Sequence, residues 1–312
     1  MLVFIMDKLN MEVYKMKNKK ILGIILIILI SLAICLTLFF KNISSLKDNN
    51  VSNSTVNIKE NTQENNNTKE DSTENINRFE GLEMTTEDVG IPVLYYHSVL
   101  PDSEVTTRNE VTISPENLKT QLQLVKDLGY TTLTMSELND YIINNKEIPK
   151  KSILITFDDG YADNYVHAFP ILKELDMKAT IFVISSGIDG GYYMSSDQLK
   201  DMVNYGIDIE SHTVNHVHLD TLPYEEQLKE LKDSKATIEK VTNKEVLSIA
   251  FPFGDYNENT LKAVTDAGYS IAFTTNRGLA NRTDNKIALD RIYVSSEYSI
   301  DTFKERLLNT NK

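Results

Sequence analysis

The chain has 312 residues, with 45 Asp and Glu against 32 Lys and Arg, and a formal net charge of −13. That balance excludes the broad cationic face a nucleic-acid partner requires. A single cysteine, Cys35, lies in the N-terminal apolar run and leaves nothing after it for disulfides or thiolate chemistry.

Residues 1–20 place Lys15, Lys17, Lys19 and Lys20 ahead of ILGIILIILISLAICLTLFF, an uncharged run over residues 21–40. At about 1.5 Å per residue the run spans roughly 30 Å, the depth of a bilayer core, and the lysines orient it with a cytoplasmic N-terminus. A cleaved signal peptide has a shorter apolar stretch ending in small residues, so an uncleaved transmembrane helix in the cell membrane is expected. Residues 41–90, including VSNSTVNIKENTQENNNTKEDSTEN, are polar and nearly free of aromatics. They read as a disordered linker with a reach of roughly 40 Å. Residues 91–312 would then form one extracellular folded domain, with no protein partner evident.

Within that domain, short apolar runs alternate with amphipathic stretches. The runs are PVLYYHSV, SILITF, ATIFVI, GIDIESH, LSIAFPF, YSIAFTT and DRIYVS. In SPENLKTQLQLVKDLGY, Ser114 can cap, Pro115 suits the first helical position, and Leu118, Leu122, Val125 and Leu128 form a stripe ended by Gly129. Strand and helix in turn imply an α/β fold of parallel strands with helical crossovers, an open sheet or a barrel. In either, active sites gather at the carboxyl ends of the strands.

Asp158 and Asp159 stand at such an end, after SILITF. A DDG there is often only a turn. However, His212, His216 and His218 place three of the chain's five histidines within seven residues. In a helical turn, residues four apart share a side, so His212 and His216 could reach one metal ion. A carboxylate with two imidazoles is a common catalytic metal set. One aspartate would be a ligand, and the other a base taking a proton from a water acidified by the cation.

TFDDG, SHTVNH and FPFGDYN resemble, in order and spacing, the motifs of the polysaccharide deacetylases, the carbohydrate esterase family 4 proteins with a NodB homology domain. The resemblance covers residues 91–294 and implies a distorted (β/α) barrel of about seven strands. It implies Asp158 as catalytic base and Asp159, His212 and His216 as ligands of one divalent metal, zinc by default with cobalt or nickel able to replace it. Thr213 would shape the ligand loop, and Phe253 would offer its backbone N–H to the oxyanion. Many members brace the base with an arginine where this chain has Ala250, and carry a tryptophan motif and a late Leu-x-His motif. This chain has no tryptophan and no histidine after His218. It looks closest to the branch acting on poly-β-1,6-N-acetylglucosamine, where an early Tyr-His strand stands in for the last motif. His97 is then the candidate acid and Arg291 the candidate brace. His167 and His218 read as structural or solvated. The implied reaction is removal of N-acetyl groups from an N-acetylglucosamine-containing polysaccharide. An O-acetyl polysaccharide esterase, or a tethered glycan-binding domain without turnover, are the alternatives.

Overall fold

The structure, a computed structural model, describes residues 78–310. The expected cytoplasmic segment, the apolar run 21–40 and most of the linker lie outside the described residues. Among the described residues no helix is long and apolar enough to cross a membrane.

Seven parallel strands close into a barrel: β1 (Val93–Tyr96), β2 (Ser152–Phe157), β3 (Thr180–Val183), β4 (Asp208–Ser211), β5 (Ser248–Ala250), β6 (Ile271–Arg277) and β7 (Leu289–Tyr293). β1 pairs with both β2 and β7, which seals the ring. The ring is irregular in two places. β2 pairs through Thr156 and Phe157 with β3, and through Ser152 and Ile153 with a short extra strand at Thr131–Thr132. Between the pairs Phe273–Leu289 and Arg277–Arg291, β6 advances four residues while β7 advances two. A bulge of this kind redirects the side chains that follow it.

Alternation along the strands sorts the core into two layers. Val93, Leu154, Phe182, Ala250, Phe273 and Leu289 belong to the inner cluster. Leu94, Tyr96, Ile153, Ile155, Phe157, Ile181, Val183, Ile209, Ile249 and Ile292 belong to the outer cluster, beneath the helices. The seven barrel strands are buried on both faces over most of their length, the reason these segments read as apolar runs. The covering helices are α1 (Pro115–Asp127), α2 (Met135–Asn144), α3 (Phe169–Leu175), α4 (Ser196–Tyr205), α5 (Tyr224–Thr242), α6 (Glu258–Asp266) and α7 (Ile300–Leu308). α1 is capped by the Ser114 side chain with Pro115 at its start, and buries Leu118, Leu122 and Val125; Leu128 is its C-cap.

The expected boundary at residue 91 is corrected. Residues 78–90, assigned from composition to the linker, belong to the folded body. Met84–Thr85 pairs antiparallel with Ile148–Pro149, Arg78 donates to the Thr132 carbonyl at 2.8 Å, and Asp88 accepts the Arg282 and Thr283 amides at 2.9 and 3.1 Å. Phe79 and Val89 pack against the inner cluster, and hydrogen bonds and ion pairs with distant partners hold the rest, so few apolar residues are needed and the composition resembles that of a linker.

Candidate active site

The inner-layer parity continues along β7 and past the ends of β1, β2 and β4. Val93 and Tyr95 lead to His97, and Leu154 and Thr156 lead to Asp158. Glu210 leads to His212, and Leu289 to Arg291. A two-residue period therefore directs four chemical side chains from four strands towards one mouth.

Asp158 and Arg291 are both buried there. Arg291 Nη1 and Nη2 donate to Asp158 Oδ1 and Oδ2, each at 2.8 Å. Its Nε donates to the Thr274 carbonyl at 2.9 Å, an acceptor offered by the β6 bulge, and its guanidinium lies 4.2 Å from the Tyr95 ring centre. Burial alone would raise the Asp158 carboxyl, but the Arg291 charge, followed by His212, holds it below the usual carboxylate range. Each Asp158 oxygen accepts one guanidinium N–H and keeps a second lone pair for another donor.

The neighbouring aspartate points elsewhere because its backbone is left-handed, φ 72°. Gly160 follows at φ 75°, where a Cβ would come within 2.8 Å of Val183 Cγ1. This close turn separates the two carboxylates. Asp159 Oδ1 lies 3.4 Å from His212 Nε2 and 3.3 Å from His216 Nε2. The two histidines are not in a helical turn, as their spacing suggested. Thr213 at φ 68° and His216 at φ 54° bend the chain instead. Thr213 Oγ1 accepts the His216 amide at 3.0 Å, and Glu230 of α5 accepts the Val214 and Asn215 amides, both at 3.0 Å. Two left-handed residues bring the rings to a centroid distance of 4.9 Å.

This donor set fits a divalent cation. Asp159 Oδ1 is buried without a hydrogen-bond partner, facing two imidazole nitrogens. Bonds of about 2.0–2.2 Å in tetrahedral arrangement space ligand atoms by roughly 3.3–3.6 Å, which matches these separations. His212 Nδ1 sits 2.7 Å from the Ala250 carbonyl. That contact assigns the proton to Nδ1 and leaves the Nε2 lone pair facing Asp159. Burial lowers the Asp159 carboxyl's tendency to ionise, yet the adjacent His212 and His216 rings more than offset it and hold the group far below its ordinary value. Burial disfavours a charged His212, but Asp159 and Asp158 outweigh it and raise the imidazole.

His97 is part-buried, and its Nδ1 has no hydrogen-bond partner. Burial lowers its basicity, opposed by the charges of Asp158 and Asp159. Its backbone is clamped by the segment that follows the aspartates. Asn164 Nδ2 donates to the His97 carbonyl at 2.8 Å, while Asp163 accepts from Ser98 Oγ at 2.6 Å and from the Val99 amide at 3.0 Å. Phe253 adopts φ 60° and leaves its ring 51% exposed. Its ring meets His216 edge-on at 4.5 Å and stacks on His218 at 3.9 Å. His167 lies away from these groups, 3.6 Å from Glu104.

The motifs alone did not reveal the rim. His218, expected to be structural or solvated, pairs with Asp255 at 2.7 Å and carries the Phe253 ring. With Asp220 these residues form a second group of candidate ligands, but an exposed one. Burial, together with the Asp159 charge, pushes the Tyr161 phenol upward. The continuation of DDG into YADN, and the tyrosine pair in GGYYM, were the available signals.

A closed seven-stranded parallel barrel whose mouth joins an Asp-His-His triad to an arginine-held aspartate is a framework for hydrolysis at a polarised carbonyl. The sequence profile of the polysaccharide deacetylases matches residues 145–272. Bacillus subtilis YxkH, assigned to the polysaccharide deacetylases, is 37% identical over 219 residues, 70% of this chain and 76% of that protein. The poly-β-1,6-N-acetyl-D-glucosamine N-deacetylase of Staphylococcus epidermidis is 29% identical, over 62% of this chain and 71% of that one. Among solved structures, the Streptococcus pyogenes deacetylase PplD in complex with acetate is 34% identical with a TM-score of 0.66, covering 71% of this chain and 99% of that chain. IcaB from Ammonifex degensii is 26% identical with a TM-score of 0.61, covering 72% and 98%. This chain belongs to the polysaccharide deacetylase family and is an enzyme of that class.

Proposed function

We propose that the chain hydrolyses N-acetyl groups on N-acetylglucosamine units of an extracellular polysaccharide. The apolar run 21–40 would anchor it to the cell membrane. The observation that carries the chemistry is the buried Asp158, held by two Arg291 hydrogen bonds beside a set of three candidate metal-ligating atoms.

Asp159, His212 and His216 would hold one divalent cation, zinc by default, which when bound supplies a Lewis acid for the acetyl carbonyl and for water. Asp158 takes a proton from the attacking water on the lone pair that Arg291 leaves open. Arg291 keeps this carboxylate ionised and fixes its plane. The Phe253 backbone N–H donates to the oxygen that gains charge as the carbonyl carbon becomes tetrahedral. His97 gives a proton to the departing nitrogen as the C–N bond breaks, releasing acetate and a free amine. The relatives acting on poly-β-1,6-N-acetylglucosamine support that polymer class, and peptidoglycan is the other candidate.

The test is acetate release by the full-length protein, supplied with zinc, cobalt or nickel, from β-1,6-linked N-acetylglucosamine oligomers, peptidoglycan and chitooligosaccharides. Metal-dependent acetate from a glycan amide is expected. Release only from O-acetylated glycans would make the enzyme an esterase. No release from any substrate would leave a glycan-binding domain.

A further inference from the structure

Among the described residues, only two phenylalanine or tyrosine rings are strongly exposed: Tyr192 at 70% and Phe253 at 51%. Phe253 meets His216 of the triad, whereas Tyr192 packs edge-on against Tyr161, two residues after Asp159 in the same turn. The Tyr192 ring covers no core, so it contributes little to folding, and an aromatic face left in water beside a site invites a ligand.

Its presentation is built. The Tyr192 carbonyl accepts the Ala162 amide at 3.0 Å, and the Met194 amide donates to the Gly160 carbonyl at 3.0 Å, so the segment is tied on both sides to the turn bearing Asp159. Tyr193 stacks on Tyr161 at 5.6 Å and lies against Gly187, where a Cβ would come within 2.6 Å of the ring. Asp189 accepts the Ser196 amide at 2.8 Å and its hydroxyl at 2.7 Å, anchoring the segment to α4. A ring held in this way loses little entropy when it is covered.

We propose that Tyr192 is a stacking position for a hexopyranose unit next to the one being deacetylated, so that the site takes a glycan chain rather than a single sugar. A pyranose ring with equatorial substituents presents a flat face of C–H groups that matches an aromatic face in size and polarity. This inference rests on the deacetylase reading of the site.

The test uses the full-length protein and its Tyr192→Ala and Tyr192→Phe variants on N-acetylglucosamine oligomers of one to six units, both β-1,6- and β-1,4-linked, with 4-nitrophenyl acetate and metal content as controls. In Tyr192→Ala the loss should grow with chain length, reaching about tenfold in kcat/KM on the hexamer, mostly through KM. Tyr192→Phe should retain hexamer activity. An equal loss at every length, or none on the hexamer, overturns the proposal and leaves the deacetylase reading standing. Hexamer binding is measured in parallel in Asp158→Asn protein with and without Tyr192→Ala. If the wild type releases no acetate from any glycan, the deacetylase reading fails. Binding weakened by the same factor then still supports the stacking position, and unchanged or undetectable binding overturns it.

Discussion

Arg291→Met tests whether Asp158 is kept ionised by its partner across the barrel. Both side chains are buried and joined by two bonds of 2.8 Å. Methionine fills most of the vacated volume but donates nothing, so the carboxylate is left buried without its counter-charge. Removing one member of such a pair costs about 3–5 kcal/mol. At roughly 2–4 °C per kcal/mol for a domain of this size, Tm near neutral pH should fall by about 6–20 °C. The dependence on pH has a definite sign. In the wild type the Asp158 carboxyl is held below its ordinary value, because the Arg291 charge outweighs burial. Its contribution is therefore present above the unfolded carboxyl pKa, about 3.9, and is lost only on strong acidification. Without Arg291 burial prevails, the folded pKa rises above the unfolded one, and the variant loses stability as pH increases. The deficit against wild type should be small near pH 4 and grow towards pH 8. Asp158→Asn in the Arg291→Met background should recover most of it, since no buried charge remains. Thermal melts of the four proteins across that range, with chelator present, form a double-mutant cycle. A Tm for Arg291→Met within roughly 2 °C of wild type at pH 8, or a deficit independent of pH, would refute the reasoning.

His212→Ala and His216→Ala should lower metal content and activity together. Asp158→Asn should keep the metal and lose turnover, and equal metal loss in all three would show the two carboxylates to be interchanged in role. His97→Ala should retain metal and slow an amide substrate by about 10²–10⁴, the range for a positioned general acid, while an aryl acetate, whose phenolate leaves unprotonated, is slowed far less. Equal loss on both substrates would make His97 a positioning residue. Glu210→Gln should raise Tm at pH 8 and change it little at pH 4. Burial, then the Asp208 charge, raises the Glu210 carboxyl well above its ordinary value, so its ionisation opposes folding as pH rises. The amide oxygen can still accept the Leu247 and Ser248 amides that Glu210 accepts at 2.9 and 2.6 Å. A fall in Tm at pH 8 would show that the carboxylate is the required form.

The strand segments, the helices between them and the clustering of Asp158, Asp159, His212 and His216 at strand ends were legible in the sequence. Local periodicity and short motifs encode them, and the closed barrel followed from the motif resemblance. The same periodicity could not tell that residues 78–90 are part of the body, because contacts with distant partners, rather than a local apolar pattern, hold them. It misassigned the turn between His212 and His216, where left-handed backbone at Thr213 and His216 does the work of a helix. The resemblance offered Arg291 as the candidate brace, and the tertiary structure brings it to Asp158 across 133 residues of chain; the tertiary structure alone ties His97 to Asn164 across 67 and sets His218 against Phe253. These contacts depend on which strands lie side by side when the ring closes, and above all on β1 pairing with both β2 and β7. Parity along a strand decides that a side chain faces inward. Only the closure of the barrel decides what it meets there.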